Sequence, residues 1–205
     1  MAKLFSPDNP VWRVMGIVAD FFLLTILWAV CSLPIITIGA STTAVYYVAL
    51  KMVDKREGYI VKTFFKAFKD NFGQSTVLWV IMAVIGFVLA NGMYICRQLD
   101  NSMAGVYFWI FLILGVLYIF MLNVMFALEA RLATTVGNMF MMTFMVCLKN
   151  FSWVLFMTVM TVCVVIFGIF VFWPVLVLVV GAIAYLHAMV YRHIIFPKYN
   201  WNLED

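Results

Sequence analysis

The sequence predicts an all-α protein: a polytopic transmembrane helical bundle of about five spans in one membrane domain, 1–205, with a cytoplasmic-side amphipathic helix between spans 1 and 2. Three observations lead there. Hydrophobic residues make up 67% of the chain and charged residues 11%, against about 25% charged in soluble domains. A core of this size cannot bury such a surplus, so much of it faces lipid. The apolar residues come in runs near the ~20 needed to cross a hydrocarbon core, and the positive charges between those runs are unevenly shared.

The runs lie at about 14–38, 75–96, 104–128, 152–172 and 174–195. The last two are divided only by Trp173-Pro174. A single helix through both would overshoot a ~30 Å core about twofold. Proline is accepted in the first turn of a helix, so a tight turn with Pro174 opening the fifth span is expected. The N-terminal stretch carries Pro7, Asp8 and Pro10 ahead of an apolar run too long for a signal-peptide core, so it does not read as a signal peptide.

Orientation follows the lysines and arginines. Lys51, Lys55, Arg56, Lys62, Lys66 and Lys69 precede the second span; Arg131 and Lys149 follow the third; Arg192 and Lys198 lie at or beyond the end of the fifth. Lys3, Arg13 and Arg97 fall on the other side. The richer side is expected in the cytoplasm, with the N-terminus outside and the C-terminus inside. The apolar run 14–50, with Pro34 in its middle, leaves a second arrangement open: a re-entrant or two-span hairpin that keeps the N-terminus inside.

Between the first two spans, Val61, Phe64, Phe65, Phe68 and Phe72 recur at helical spacing, while Lys62, Lys66, Lys69 and Asp70 fall elsewhere on the wheel. This predicts an amphipathic helix over about 59–72, able to lie in the headgroup plane with its lysines near anionic lipid. Tyr59, Lys62, Phe64, Phe65, Phe68, Lys69 and Phe72 are the candidate docking residues, for membrane surface or for a protein partner. A weak internal repeat accompanies it. Thr63-Phe64 and Lys69 return as Thr143-Phe144 and Lys149, and Asn71-Phe72 as Asn150-Phe151; Thr42-Thr43 similarly resembles Thr134-Thr135. Repeats of this kind are common in transporters, and short aromatic matches also arise by chance.

Chemistry-bearing residues are sparse. No metalloprotease, nucleophile-elbow or phosphate-loop motif is present. Cys31, Cys96, Cys147 and Cys163 lack metal or disulfide spacing and read as apolar filler. No cofactor, metal or nucleic-acid partner is expected, and no catalytic residue is assigned. The intramembrane polar candidates are Asp20, Asn91, Asn123 and His187. Asp20 and Asn91 have similar inferred depths on the outer side, and His187 and Asn123 similar depths on the inner side. For each pair, interhelical packing competes with a proton or ligand site. Glu129 and Arg131 read as anchors at a helix end. Tryptophans near span ends form the expected interfacial belt. Met139, Met141, Met142 and Met145 make a polarizable cluster suited to lipid or partner contact.

In Pro34-Ile35-Ile36-Thr37-Ile38-Gly39 the proline removes a donor and the glycine loosens the chain. The first span is expected to end or break there, with Thr42 or Thr43 capping a new helix over 44–53.

Two stretches carry a family resemblance. One is Phe5-Ser6-Pro7-Asp8-Asn9-Pro10, then Ala19-Asp20, then Cys31 through Tyr47. The other is Glu57-Gly58-Tyr59 with Phe64 through Phe72. Together they resemble the YesL family of bacterial membrane proteins, also called domain of unknown function 624. The likeness is close over about the first 75 residues and beyond them rests on hydropathy and length. It implies a bacterial plasma-membrane protein with no assigned reaction, encoded near carbohydrate ABC importers. The expected function is therefore a non-enzymatic accessory subunit of such an importer, contacting the permease through its helices and the 59–72 segment. The alternative is a small autonomous transporter or channel, homo-oligomeric in one form.

Overall fold

The structure is a computed structural model that describes residues 10–54, 59–98, 103–170 and 176–201. The Phe5–Asn9 part of the family signature, the 55–58 connection and the Trp173-Pro174 turn lie outside the described residues. Among the described residues there is helix and turn and no strand.

Helix α1 runs Pro10–Cys31. A bend and a 3-10 turn, Ile35–Thr37, lead into α2, Ile38–Val53. Then follow α3 (Ile60–Gln98), α4 (Ala104–Glu129), α5 (Val136–Lys149), α6 (Phe151–Phe170) and α7 (Leu176–Val190). The last passes into a π turn, Tyr191–Ile195, and the short α8, Phe196–Lys198. Among the described residues, five segments are long and apolar enough to cross a membrane: Ile35–Val53, Ile60–Gln98, Ala104–Glu129, Phe151–Phe170 and Leu178–Lys198. The expected all-α bundle of five such helices is what the chain forms. Ile35–Val53 lies at the end of the expected 14–38 run and beyond it, while that run's earlier part is the apolar Met15–Cys31 portion of the 22-residue α1.

The break between α1 and α2 has a local cause. Pro34 is extended (φ −75°, ψ 112°) and has no N–H to continue a helix. The Thr37 hydroxyl lies 2.6 Å from both the Cys31 and the Pro34 carbonyl oxygens; it serves the Cys31 carbonyl that the end of α1 leaves orphaned, while the Pro34 carbonyl also accepts the Thr37 N–H at 2.8 Å. Capping thus falls to Thr37, at the end of the earlier helix. Thr42 and Thr43, expected as N-caps, lie inside α2, which begins at Ile38. Thr42 instead donates to the Ile38 carbonyl and accepts from the Trp28 indole. Gly39 is not a loosened link either. It sits in the first turn of α2 with negative φ, and a Cβ there would lie 2.5 Å from the Ser75 carbonyl oxygen and 2.7 Å from Trp79 Cβ. Only a residue without a side chain lets α2 approach α3 so closely.

Helix α2 is enclosed: ten of its 16 residues are buried. A helix with one face to lipid buries a single stripe; α2 packs on α1, α3, α4 and α7.

Helix α3 is continuous over 39 residues, about 58 Å at 1.5 Å per residue. The predicted amphipathic helix and second span are therefore one rod, and the 59–72 stretch does not turn aside into the headgroup plane. Nothing between Val61 and Val77 breaks the helix. Gly73 costs about 1 kcal/mol relative to alanine, which is too little.

Helices α6 and α7 fold back on one another. His187 lies within 3.2 Å of both the Met157 carbonyl and the Thr161 hydroxyl, although 30 and 26 residues separate them along the chain. A continuous helix would hold 30 residues about 45 Å apart, so two separate helices are present, as expected.

The molecule has two unlike ends. One is a packed core of α2, the first part of α3, the last third of α4, α5, and the second half of α7 with its π turn and α8. Nearly all described charged residues lie there. At the other end α3, α4 and α6 expose long apolar stretches, including Val84, Phe87, Val88, Val106, Trp109, Ile113, Phe167 and Ile169. These suit contact with lipid chains.

Candidate functional site: a polar seam along α2 and a basic face on α3

The seam begins where α2, α3 and α4 meet. Thr43 Oγ1 donates to Glu129 Oε2 at 3.0 Å, and Ser75 Oγ donates to Thr43 Oγ1 at 3.1 Å. All three residues are buried, with Glu129 only 3% exposed. Among the described residues no hydrogen bond reaches the second carboxylate oxygen, Oε1. Glu129 was expected as an interfacial anchor because it ends its apolar run. It is inside instead because α4 stops level with Ser75 while α3 continues alongside α2, which wraps the end of α4.

Near one turn further along α2, Tyr46 reaches His187. The Tyr46 hydroxyl lies 2.9 Å from Nδ1, and Nε2 lies 3.2 Å from the Met157 carbonyl and 3.1 Å from Thr161 Oγ1. A carbonyl only accepts, so Nε2 carries the proton and Nδ1 accepts from Tyr46. Both ring nitrogens are satisfied in the neutral form, which is the arrangement of a structural histidine. Asn123 does not touch His187. It bonds the Ile119 carbonyl and, at 3.5 Å, Thr158 on α6, and its own carbonyl accepts from Tyr191. The inner-side pair is thus joined only through α6 and the helix that carries His187. The outer-side pair is not joined: Asn91 bonds back to Phe87 on its own helix, and no hydrogen bond links it to half-buried Asp20.

A lock closes the charged end. Arg192 Nε pairs with Asp54 Oδ1 at 2.6 Å, tying the end of α7 to the end of α2. Lys198 donates to Asn150 Oδ1 at 3.0 Å, Asn150 donates to the Tyr199 hydroxyl at 2.9 Å, and Trp201 offers its carbonyl to Arg131 at 3.5 Å. Cys147, on α5 beside this lock, is buried, and burial pushes its thiol up to about 12.

The first part of α3 carries the predicted docking residues, but its faces divide differently from the sequence wheel. Phe64 and Ala67 are buried and Phe68 packs against the core. Lys62, Phe65, Lys66, Lys69 and Phe72 form one exposed stripe, at steps of 3, 4, 7 and 10 from Lys62, with Tyr59 exposed at its foot. The inward direction is rotated by roughly a fifth of a turn from the aromatic stripe, because small residues there, Ala67 and Ser75, admit α2. Phe64 and Phe68 are therefore not available to a partner, and the lysines share their face with Phe65 and Phe72. The two halves of the weak repeat also face differently, since Phe64 is fully buried and Phe144 is 44% exposed.

Sequence reasoning missed Tyr46, Ser75 and Thr161, and misplaced Glu129. The usable signal was a lone acid closing an apolar run, matched by hydroxyls on two other helices. Tyr46 gives no such signal beside its neighbour Tyr47.

Residues 21–93 match the family model described as protein of unknown function, DUF624. The resemblance read from Cys31–Tyr47 and Phe64–Phe72 is thereby found on the same part of the chain, which carries α2, Ser75 and the α3 stripe. No curated protein and no solved structure matches the chain.

Proposed function

We propose that this protein is a non-enzymatic accessory membrane subunit that docks beside a carbohydrate ABC importer in a bacterial plasma membrane. The observation that carries the docking reading is the build of α3. It is one rod about twice as long as a span requires. Its inner stripe is clamped by α2, and it presents Lys62, Phe65, Lys66, Lys69 and Phe72 outward on the charged end. Rigid aromatic anchors among cations are the composition of a docking face. The importer itself rests on the family resemblance alone. In this reading the α2–α3 connection, α5 and the C-terminus are cytoplasmic, by the positive-inside rule, and the N-terminus is outside. Crossing by both α1 and α2 would bring it inside, and reporter fusions at either terminus decide between the two.

Affinity purification in mild detergent from the native bacterium tests the proposal. Stoichiometric recovery of permease and solute-binding subunits, lost when Phe65 and Phe72 are replaced by Asp, is the expected result. Recovery of this chain alone overturns it. The second reading, an autonomous transporter, is favoured by the buried Glu129 cluster, since ionisable groups inside membrane bundles mark ion and substrate paths.

A further inference from the structure

We infer that Glu129 is a proton-binding site: a carboxylic acid that the folded bundle holds neutral at neutral pH, and whose ionisation loosens α2 from α3 and α4. The reasoning starts from the surroundings of the carboxyl group. Its side chain is 3% exposed, and the hydroxyl neighbours Thr43 and Ser75 are fully buried. Thr43 lies 3.0 Å from Oε2 and Ser75 lies 3.1 Å from Thr43, while among the described residues no hydrogen bond reaches Oε1. An ionised carboxylate here would keep charge on a bare, buried oxygen, and one hydroxyl contact does not repay that cost. The neutral acid fits the same atoms. Hydroxyl hydrogens rotate to suit, so Oε2–H can donate to Thr43 Oγ1, which has a second lone pair for Ser75. Oε1 is then an uncharged carbonyl oxygen, a group more often left under-satisfied than a donor is. One Thr43 hydrogen is left over, at a smaller cost than an uncompensated charge.

The elements packed on α4 are α2, α3, α5 and α6. On α2, Tyr46 pairs with His187, Lys51 lies over the Tyr47 ring, and Asp54 pairs with Arg192. On α3, the nearest charges before Ser75 are Lys69 and Asp70, both exposed. On α5, Cys147 is buried and Lys149 is exposed; α6 brings only the exposed Cys163. Among the described residues, none of these forms an ion pair with Glu129. Arg131, two residues further on, donates to the Trp201 carbonyl. A proton has a way in. An open cleft of about 720 Å³ is lined by Gln74, Thr134, Thr135 and Asn138. Gln74 precedes Ser75, and the α4–α5 connection that supplies the threonines starts directly after Glu129. Gly39 lets α2 press against Ser75, so three helices meet at the carboxyl group. A charge there is relieved only by admitting water, which parts them. The inference holds for an accessory subunit and for a transporter alike.

The test uses the full chain in detergent. The sequence has three glutamates, Glu57, Glu129 and Glu204. With isotope-labelled glutamate and the changes Glu57→Gln and Glu204→Gln, Glu129 is the one labelled side-chain carboxyl. Infrared spectra over a pH series then show whether it is an acid or a carboxylate. An acid carbonyl band at neutral pH is expected, lost in a single one-proton step as pH rises. Hydrogen exchange in α2 should accelerate across that step. Unfolding by a denaturing surfactant is compared, over the same series, with a chain that also carries Glu129→Gln. An unfolded chain gives up this proton above about pH 4.3, while the folded one keeps it. Stability should therefore fall as pH rises. Relative to Glu129→Gln, the unfolding constant should rise by up to about tenfold per pH unit until the folded acid itself ionises. A carboxylate band at neutral pH, or equal pH dependence of the two chains, overturns the neutral acid. Unchanged exchange in α2 across the infrared step overturns the loosening. If Glu129→Gln does not fold, the infrared and exchange measurements on the chain that keeps Glu129 still decide.

Discussion

Gly39 lies against Ser75 so closely that a Cβ at position 39 would stand 2.5 Å from the Ser75 carbonyl oxygen. The obstacle is backbone inside a helix and cannot swing away. Gly39→Ala should therefore destabilise the bundle by ~1–3 kcal/mol or more, as overpacking does. Gly73 is the control, because its missing Cβ faces open space. Gly73→Ala should be neutral or stabilising by up to about 1 kcal/mol through helix propensity. Unfolding in detergent with added denaturing surfactant compares the two; equal effects would remove close approach as the reason for Gly39.

Phe64 and Phe65 are adjacent but unequal. Phe64 is fully buried and Phe65 is 42% exposed. Phe64→Ala should cost about 3–5 kcal/mol. Phe65→Ala should change stability by under ~1 kcal/mol, and any loss of partner binding it causes cannot then be blamed on folding. The same unfolding measurement and the purification experiment together check this.

His187 bridges Tyr46 and the Met157 carbonyl in the neutral form. Tyr46→Phe removes one hydrogen bond and should cost about 1 kcal/mol. His187→Leu removes the bridge and leaves the buried Tyr46 hydroxyl without its partner, and should cost ~1–3 kcal/mol more. A double-mutant cycle measures the coupling; zero coupling would mean that the contact is incidental.

Cys147 should resist thiol reagents. Its thiol is buried and its pKa is raised from 9.0 to about 12, so almost no thiolate exists in the folded protein at pH 8. Between those two values the folded state holds a proton that the unfolded chain releases, so this group's contribution to stability falls as pH rises from 9.0 to about 12. Maleimide labelling followed by mass spectrometry should find Cys147 modified only after unfolding. Labelling in the folded state at a rate typical of an open thiol would contradict the burial.

The pairing of Arg192 with Asp54 is partly screened, since the arginine side chain is 26% exposed. Arg192→Gln should cost about 1 kcal/mol or less, with a smaller effect in high salt. Its sharper readout is local. Hydrogen exchange at the end of α2 should accelerate.

Much of the fold was legible because lipid imposes a simple rule: a run of apolar residues long enough to cross becomes a helix. The apolar runs and the α6–α7 reversal follow from it, and the break at Pro34 follows from the donor that proline lacks. What hydropathy could not reveal is enclosure. Residues 38–53 are no more apolar than the lipid-facing helices, yet α2 is surrounded, because Gly39, Ala40, Ala44 and Ala49 are small enough to admit neighbours. For the same reason the wheel of 59–72 pointed its phenylalanines the wrong way: the inward stripe was chosen by small residues. The seam was hidden more deeply. Thr43, Ser75 and Glu129 are far apart in sequence, and a threonine near a proline reads equally well as a cap.

The distance along the chain between Tyr46 and His187 also fixes an order in time. They are 141 residues apart. At 5–20 residues per second, a ribosome delivers His187 roughly 7–28 s after Tyr46. Throughout that interval Tyr46 is already synthesised while the helix that satisfies it is not; Thr43 meets its partners on α3 and α4 sooner, 32 and 86 residues on. The growing chain therefore needs α2 to wait at the bilayer edge or inside an insertion channel, and the bundle closes from its C-terminal end, when the last helix arrives.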